Sequence, residues 1–521
     1  MQLTADQTKG LQTLIDFCQN PVDYPVCLVI GSAGVGKTTL MQKLVHALGD
    51  TMEIGGLAPT HKAKRVLAER TPKLVVKTVA SFLMSEKKHT FIGTNSFRTN
   101  RPSSVPTILI LDESSMVTDV DYFKLVSFLT NPKQRMICIG DPCQIPPVSQ
   151  GLEVRTIGTD QVLVKREAAV FNDPKVKRII LTQIVRQQAE SVIIQMGQFI
   201  RDHLNDEFNL ATVFPEQILS SELVYETFKT NWLANPLKTK LVTYTNASVV
   251  EHNKLIRRAL GYTEPFHTGE ILMGYQQIGF PLCFIENGAD YIIETVTKGT
   301  FTFRHLSKMW TVYGYRVRFG GRNHLFPMID QDQNASLFQQ LLDYASRSNR
   351  RGSTKEDYKR YKQFKDKILF HETLYYFQDL FLSARTFKEK HPLLFIQCSD
   401  FFDDKGQMID CPVSHTIMEQ YEHIVLDRIS EAKPFGDDET FASRFCIVEK
   451  DLDYGYAYTT HKSQASSLVS VFIDETNMNK LINRYNPIHH KVEFRVRERN
   501  QLKYVAVTRA MHQVYLLRSE K

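Results

Sequence analysis

The run Gly31, Ser32, Ala33, Gly34, Val35, Gly36, Lys37, Thr38 has the pattern G-x-x-x-x-G-K-T. Glycines let the backbone close so tightly that successive N–H groups converge on a phosphate, and a helix opening at Lys37 adds its positive end. In this pattern Lys37 offsets β- and γ-phosphate charge and the Thr38 hydroxyl ligates Mg²⁺, with Thr39 in the same first turn. Such a site also needs an acidic partner, and Ile108-Leu-Ile-Leu111 runs straight into Asp112-Glu113. Asp112 suits Mg²⁺ and Glu113 suits the attacking water. Carboxylates at the carboxyl end of a buried strand sit where open α/β sheets bind ligands. Nucleotide hydrolysis is therefore expected, with ATP and Mg²⁺.

These residues need strands and helices to hold them. The runs 26–31, 107–113 and 134–141 are short, apolar, rich in Val and Ile and bounded by turn signals, as strands buried on both faces of a parallel sheet are. Helix-like stretches lie between them, at 38–49 and 61–70. A second α/β block opens at 238–246, continues into a helical stretch at 247–260, and resumes at 466–475 and 512–519. Between its two parts, 269–303 alternates like a small β unit and 335–390 reads as helices. Residues 345–367 hold nine Lys/Arg and three Asp/Glu, a net of +6, against +7 (64 less 57) for all 521 residues. A solvated helix face and a polyanion-facing arm both fit that cluster.

A hydrophobic content of 42% with 23% charged residues excludes wholesale disorder. No window reaches roughly 18 uninterrupted apolar residues, and the opening residues lack a signal peptide's basic and apolar regions. Eight cysteines are scattered without a C-x-x-C pair. A reducing, cytoplasmic setting away from membranes is expected.

The segment Gly140-Asp141-Pro142-Cys143-Gln144-Ile145-Pro146-Pro147-Val148 resembles motif III of superfamily 1 helicases, in the form of their 5′→3′ branch, the RecD- and Dda-like enzymes. Ala58 to Lys64 resembles motif Ia, Leu181 to Gln187 motif IV, Tyr458 to Gln464 motif V and Tyr504 to Ala510 motif VI. Thr243-Tyr244-Thr245-Asn246 with Asn253 resembles the opening of a second motor domain, and Gln7 the glutamine that reads adenine. The resemblance implies an α/β protein of two RecA-like parallel-sheet motor domains. Motor domain 1A spans 1–83 and 106–200, with a β-hairpin pin at 84–105. Motor domain 2A spans 201–264 and 450–521, with an insert at 265–449 made of an SH3-like β unit and the helical extension at 335–390.

By the same resemblance, Arg186 and Arg509 reach the γ-phosphate across the cleft, and Gln144 senses it. Pro59, Thr60, His61, Thr78, Ser81, Thr245, Asn246, Thr460 and His461 touch a single strand, and Phe91 or Phe97 on the pin meets the duplex. The implied activity is a DNA helicase moving 5′→3′ on single-stranded DNA and opening single-strand/duplex junctions. The alternative is a translocase that displaces proteins without substantial unwinding. A non-catalytic binding subunit is a third reading, against which Lys37, Asp112, Glu113, Gln144, Arg186 and Arg509 all argue. A monomer is expected, in a host cytoplasm if phage-encoded, with a single-stranded-DNA-binding protein or replication proteins as further partners. Two departures stand out: Ala465 occupies a motif V position that is usually Gly, and Ala80 a position that is usually His.

Overall fold

The computed structural model of the chain describes residues 3–84, 105–157, 159–183, 191–275, 287–305, 308–320, 325–329 and 452–517. Phe91, Phe97, Arg186 and the 335–390 extension with its basic cluster lie outside the described residues. Contacts divide the chain into one unit of Met1–Ala259 with Tyr456–Lys521, and a second of Leu260–Gly455.

The first unit contains two parallel sheets. In one, six strands run in the order β3-β2-β4-β5-β1-β8. They are β1 (Val26–Gly31), β2 (Ile54–Ala58), β3 (Val75–Thr78), β4 (Ile108–Leu111), β5 (Arg135–Gly140) and β8 (Lys177–Leu181). Leu14, Phe17, Leu40 and Leu44 pack on one face, and Tyr122, Leu125 and Phe171 on the other. Two covered faces explain why β1, β4 and β5 are near-continuous apolar runs. Parallel register aligns Leu57 with Leu111, Leu111 with Cys138, and Ile30 with Gly140. The phosphate loop, Asp112 and Asp141 therefore leave the sheet along one edge.

The other parallel sheet has the order β16-β10-β17-β20-β9. Its strands are β9 (Ile218–Leu219), β10 (Thr239–Thr243), β16 (Ala457–Thr459), β17 (Leu468–Ile473) and β20 (Ala510–Leu517). Thr243 pairs with Thr459 and Val242 with Ile473, so the ends of β10, β16 and β17 share an edge too. These are two RecA-like sheets. The expected boundary at residue 200 falls inside the continuous helix Val192–Asp202.

A third, four-stranded sheet of order β18-β19-β7-β6 was not foreseen. It joins a hairpin from the first half, β6 (Leu152–Ile157) and β7 (Asp160–Lys165), to one from the end, β18 (Arg484–Asn486) and β19 (Lys491–Glu493). The link is the pairing of Glu493 with Leu163, and Phe494 N donates to Leu163 O at 2.8 Å.

In the second unit, the described strands form an antiparallel sheet of order β14-β13-β12-β11-β15. They are β11 (Ile271–Gly274), β12 (Asp290–His305), β13 (Lys308–Phe319), β14 (Leu325–Ile329) and β15 (Leu452–Tyr454), and β12 and β13 make one long hairpin. Among the described residues no helix is long and apolar enough to cross a membrane.

Helix Val496–Arg509 is buried almost all round and carries a buried charge. Lys503 and Glu475 pair at 2.8 Å with 0% and 4% side-chain exposure. Glu475 also accepts from Leu210 N at 2.6 Å and Ala211 N at 3.0 Å. Breaking such a pair leaves an unanswered charge in the core. Lys503→Ala is expected to lower stability by about 3–5 kcal/mol, read as a lower denaturant midpoint.

Candidate active site at the junction of the two parallel sheets

The phosphate loop is built to leave donors free. Gly34 and Gly36 adopt φ of 89° and 78°, and Gly36 caps helix Lys37–Leu48 without any side-chain hydrogen bond. The first N–H groups of that helix are thus open to a ligand. A Cβ on Gly31 would lie 2.6 Å from Val35 Cγ2 and 3.1 Å from the Leu181 carbonyl, so only glycine fits there. Lys37 Nζ donates to Gly31 O at 2.7 Å and Ser32 O at 2.9 Å. Burial lowers the Lys37 pKa; Asp141, Glu113 and Asp112 oppose that, and Arg509 adds to it. Arg509 is therefore within electrostatic reach of Lys37.

Gln7 is 2% exposed and braces the loop by donating from Nε2 to Val35 O at 2.8 Å, while its Oε1 accepts from Thr4 N at 3.0 Å. One amide hydrogen and one lone pair remain for a ligand such as adenine. Next to it, Asp6 accepts from Thr182 N at 2.8 Å and Gln183 N at 3.0 Å, fixing the chain just before the segment that carries Arg186. Burial pushes the Asp6 carboxyl up, but bonds from the Thr4 hydroxyl and from the Gln183, Thr182 and Gln7 amides outweigh it and hold the pKa at about 2.

At the end of β4, Asp112 Oδ1 accepts from Glu113 N at 2.9 Å. Glu113 holds φ 50°, ψ 43°, a left-handed backbone that costs a non-glycine residue energy. Burial first, then the neighbouring Glu113, raises the Asp112 pKa to about 6, against the pull of its Glu113 hydrogen bond, Lys37 and Arg70. A divalent cation would remove that cost, which is the sense in which the donor set of Thr38 and Asp112 fits Mg²⁺.

Between the sheets lies a polar junction. Asp141 has no exposed surface. Its carboxylate accepts from Arg201 at 2.8 and 2.9 Å, from the Tyr504 hydroxyl at 2.7 Å and from Cys143 N at 3.1 Å. Arg201 also donates to the Tyr504 hydroxyl at 3.0 Å, and Ala33 N reaches the same oxygen at 3.4 Å. Ser32, Ala33 and Gly34 face Gly197, Arg201, Tyr504 and Thr508 across one pocket. Beside it, Gln144 is 4% exposed and its Oε1 has no partner among the described residues. Arg509, 5% exposed, rests on its own helix, donating to Val505 O at 3.0 Å and to the Thr508 hydroxyl at 3.2 Å.

Pattern reading passed over Arg201, which belongs to none of the motifs. The available signal was an arginine on a buried stripe: Ile193 and Gly197 precede it at i, i+4 spacing and both are buried.

The candidate strand contacts fall on the two carboxyl edges. Pro59 follows β2, the Thr60 hydroxyl caps the helix opening at His61 by accepting from Ala63 N at 3.1 Å, and Ser81 is exposed. The Thr245 hydroxyl accepts from Ser248 N at 3.3 Å, and Asn246 is exposed. Two of the candidate contacts are engaged with the backbone in this structure. Thr460 is wholly buried and donates to Thr243 O at 3.0 Å, while Thr78 is 5% exposed and caps a helix by accepting from Ser81 N at 3.0 Å. Both hydroxyls hold the backbone here. Burial, helped by Lys165 and opposed by Glu498, lowers the pKa of His461. Lys62 Nζ reaches Lys462 O at 3.0 Å, tying motif Ia to motif V across the junction. Ala465, the residue in the usual glycine position, has φ 63°.

Residues 2–208 match the family described as AAA domain. The chain is 34% identical to the ATP-dependent RecD2 DNA helicase of Deinococcus radiodurans over 176 residues, 33% of this chain and 21% of that protein. It is 28% identical to the multifunctional conjugation protein TraI of Escherichia coli over 200 residues, 37% of this chain and 10% of that protein. The chain thus spans only about a fifth and a tenth of the lengths of these curated relatives. An uncharacterized protein of Acanthamoeba polyphaga mimivirus is 22% identical over 91% of this chain and 92% of its own. Among solved structures, the Pif1 helicase from Candida albicans has a TM-score of 0.46 at 14% identity, with 100% of this chain and 95% of that chain covered.

Asp112→Asn removes a carboxylate whose folded-state pKa lies above its unfolded value. Ionising such a group costs stability as pH rises from about 4 through about 6. The variant is expected to be more stable than the parent above pH 6, on the order of 2 kcal/mol, and to lose that advantage by about pH 4 in denaturant titrations. Ala465→Gly relieves a left-handed alanine and is expected to gain about 0.5–1 kcal/mol, seen as a raised unfolding midpoint.

Proposed function

We propose that this chain, whose residues 2–208 match the AAA domain family and which is 34% identical over 176 residues to an ATP-dependent RecD2 DNA helicase, is an ATP-dependent DNA helicase of the RecD-like branch of superfamily 1 that moves 5′→3′ on single-stranded DNA and opens duplex. The observation that carries the reading is the junction itself. An open phosphate loop, Asp112–Glu113 and the Gln144 loop stand on one parallel sheet, and the helix of the other that carries Arg509 reaches the loop through Tyr504, whose hydroxyl meets Ala33 N at 3.4 Å.

The triphosphate would sit on the free N–H groups after Gly36, with Lys37 leaving the Gly31 and Ser32 carbonyls to meet it. Thr38 and Asp112 would hold Mg²⁺, which supplies charge neutralisation at the β- and γ-phosphates when bound. Glu113 would orient and deprotonate the attacking water. The unpartnered Gln144 Oε1 is an acceptor, so it suits that water's second hydrogen. Arg509 would turn from Val505 O to the γ-phosphate, and Arg186 would approach from the segment after β8. Binding that favours the closed junction over the open one would move the two sheets against each other, and release would let them part. Strand contacts through hydroxyls, amides and phosphates would make DNA binding sequence-tolerant and salt-sensitive. The polarity rests on the G-D-x-x-Q-x-P-P-V form of residues 140–148. The same reading has the protein acting as a monomer in the cytoplasm, beside single-strand-binding or replication proteins.

Lys37→Ala is expected to reduce DNA-stimulated ATP turnover to background, and Arg509→Ala to lower kcat by about a thousandfold or more. In strand displacement, the parent should open a 5′-tailed duplex and leave a 3′-tailed one closed; the reverse preference would refute the polarity. Removing the tip of 84–105 should abolish duplex opening and spare ATP turnover. Unaltered opening would favour the protein-displacing translocase.

A further inference from the structure

Arg201 lies outside every motif, yet it closes the ring of bonds around Asp141. Asp141 begins the loop that carries Gln144 and shapes it twice. Cys143 N donates to its carboxylate at 3.1 Å, and Gln144 N donates to its backbone carbonyl at 3.0 Å. The root of the loop is equally fixed. A Cβ on Gly140 would lie 2.6 Å from Ser114 Oγ and 2.8 Å from Phe171 Cζ, so the backbone there packs directly on the residue after Glu113. Helix Val496–Arg509 grips the same loop at two points one turn apart. Gln501 Nε2 donates to Pro142 O at 3.2 Å, and the Tyr504 hydroxyl donates to Asp141 Oδ2 at 2.7 Å. Burial first, and then the Asp141 charge, holds that hydroxyl's pKa far above its ordinary value, so it stays a donor. The same helix ends on Arg509.

Into this contact Arg201 inserts a single nitrogen. Its Nη1 donates to Asp141 Oδ1 at 2.8 Å, to Asp141 Oδ2 at 2.9 Å and to the Tyr504 hydroxyl at 3.0 Å. Its guanidinium carbon stands 5.5 Å from the centre of the Tyr504 ring. Arg201 also lines the pocket that Ser32, Ala33 and Gly34 of the phosphate loop line. Apolar packing of equal volume holds two elements together as well as a buried ion pair does. What the ion pair adds is direction. A carboxylate, a hydroxyl and a guanidinium meet in a narrow range of geometries, and so fix where the loop stands against the helix. The groups fixed in this way are those that hydrolysis needs, Gln144 on the loop and Arg509 on the helix. A misplacement of about 1 Å at such a site costs about a hundredfold in rate.

We infer that Arg201 is a positioning residue for ATP hydrolysis, which locks Asp141 to Tyr504 and thereby holds Gln144 in register with the helix that carries Arg509. The inference deepens the helicase reading and rests on it. The test is steady-state ATP turnover by the full chain with saturating oligo-dT, beside thermal unfolding of each variant. Arg201→Ala should lower kcat about a hundredfold and leave KM for ATP within about twofold, as loss of an arrangement needed only in the transition state does. Should Arg201→Ala fail to fold, with Asp141 left uncompensated, Tyr504→Phe decides. That variant keeps the ring and strands no charge, and should lower kcat about tenfold at an unchanged KM. In a Gln144→Ala background, Tyr504→Phe should cost at most about twofold more, because its effect runs through Gln144. Arg499→Ala breaks the ion pair with Glu207 on the same helix, and should lower the unfolding temperature while sparing kcat. If the parent hydrolyses ATP and Tyr504→Phe matches its kcat, or if the cost of Tyr504→Phe is undiminished without Gln144, the positioning role is wrong and the helicase reading stands. A loss of kcat in Arg499→Ala as large as that in Tyr504→Phe would reduce the effect to a loosened helix and overturn the inference. If the parent itself turns over no ATP, the helicase reading is what fails.

Discussion

A carboxylate with no exposed surface cannot keep its charge unless positive and hydrogen-bonding groups surround it, and Asp141 meets that demand with residues from three separate elements. Arg201 comes from one helix, Tyr504 from another and the Cys143 amide from its own loop. Moving any one of them away uncovers the others, so the charge dictates how the two parallel sheets meet. Through Ala33 N the Tyr504 hydroxyl also touches the phosphate loop. Whatever occupies that loop acts on a junction whose polar groups are already committed to one another, and a small displacement there is resisted or transmitted as a unit.

The parts that a sequence displays best are those whose chemistry is local. Gly31 to Thr38 could be read because a phosphate loop is contiguous, and β1, β4 and β5 because strands covered on both faces must be apolar throughout. The order of the motifs then pointed to two sheets. Arg201 escaped because its role exists only through Asp141, sixty residues away, and Tyr504, three hundred and three away. The joining of β6–β7 to β18–β19 escaped because it links segments far apart in the chain, and short half-exposed strands carry little pattern. Thr460 and Thr78 show a different limit. A hydroxyl at a strand's end serves equally to hold backbone or to meet a phosphate, and the residue type alone does not tell which.

Backbone strain marks both sheets. Glu113 on one and Ala465 on the other take left-handed conformations without being glycine. Ala465 sits where relatives of the motif have glycine, and the neighbouring Gln464 keeps an unpartnered, 4% exposed amide nitrogen. Energy stored at such positions is recovered only if the surroundings change.

The four-stranded sheet has a consequence for how the protein comes into being. Gln161 and Lys491, 330 residues apart, are neighbours within it. During synthesis the edge of β7 leaves the ribosome long before its partner exists, and a bare strand edge invites pairing with whatever other chain is near. Completion of the sheet must wait until some 330 further residues have been made, and long-range closure of this kind is slow. Premature termination anywhere before β19 would therefore release a chain with a folded phosphate loop and an uncovered, adhesive flank.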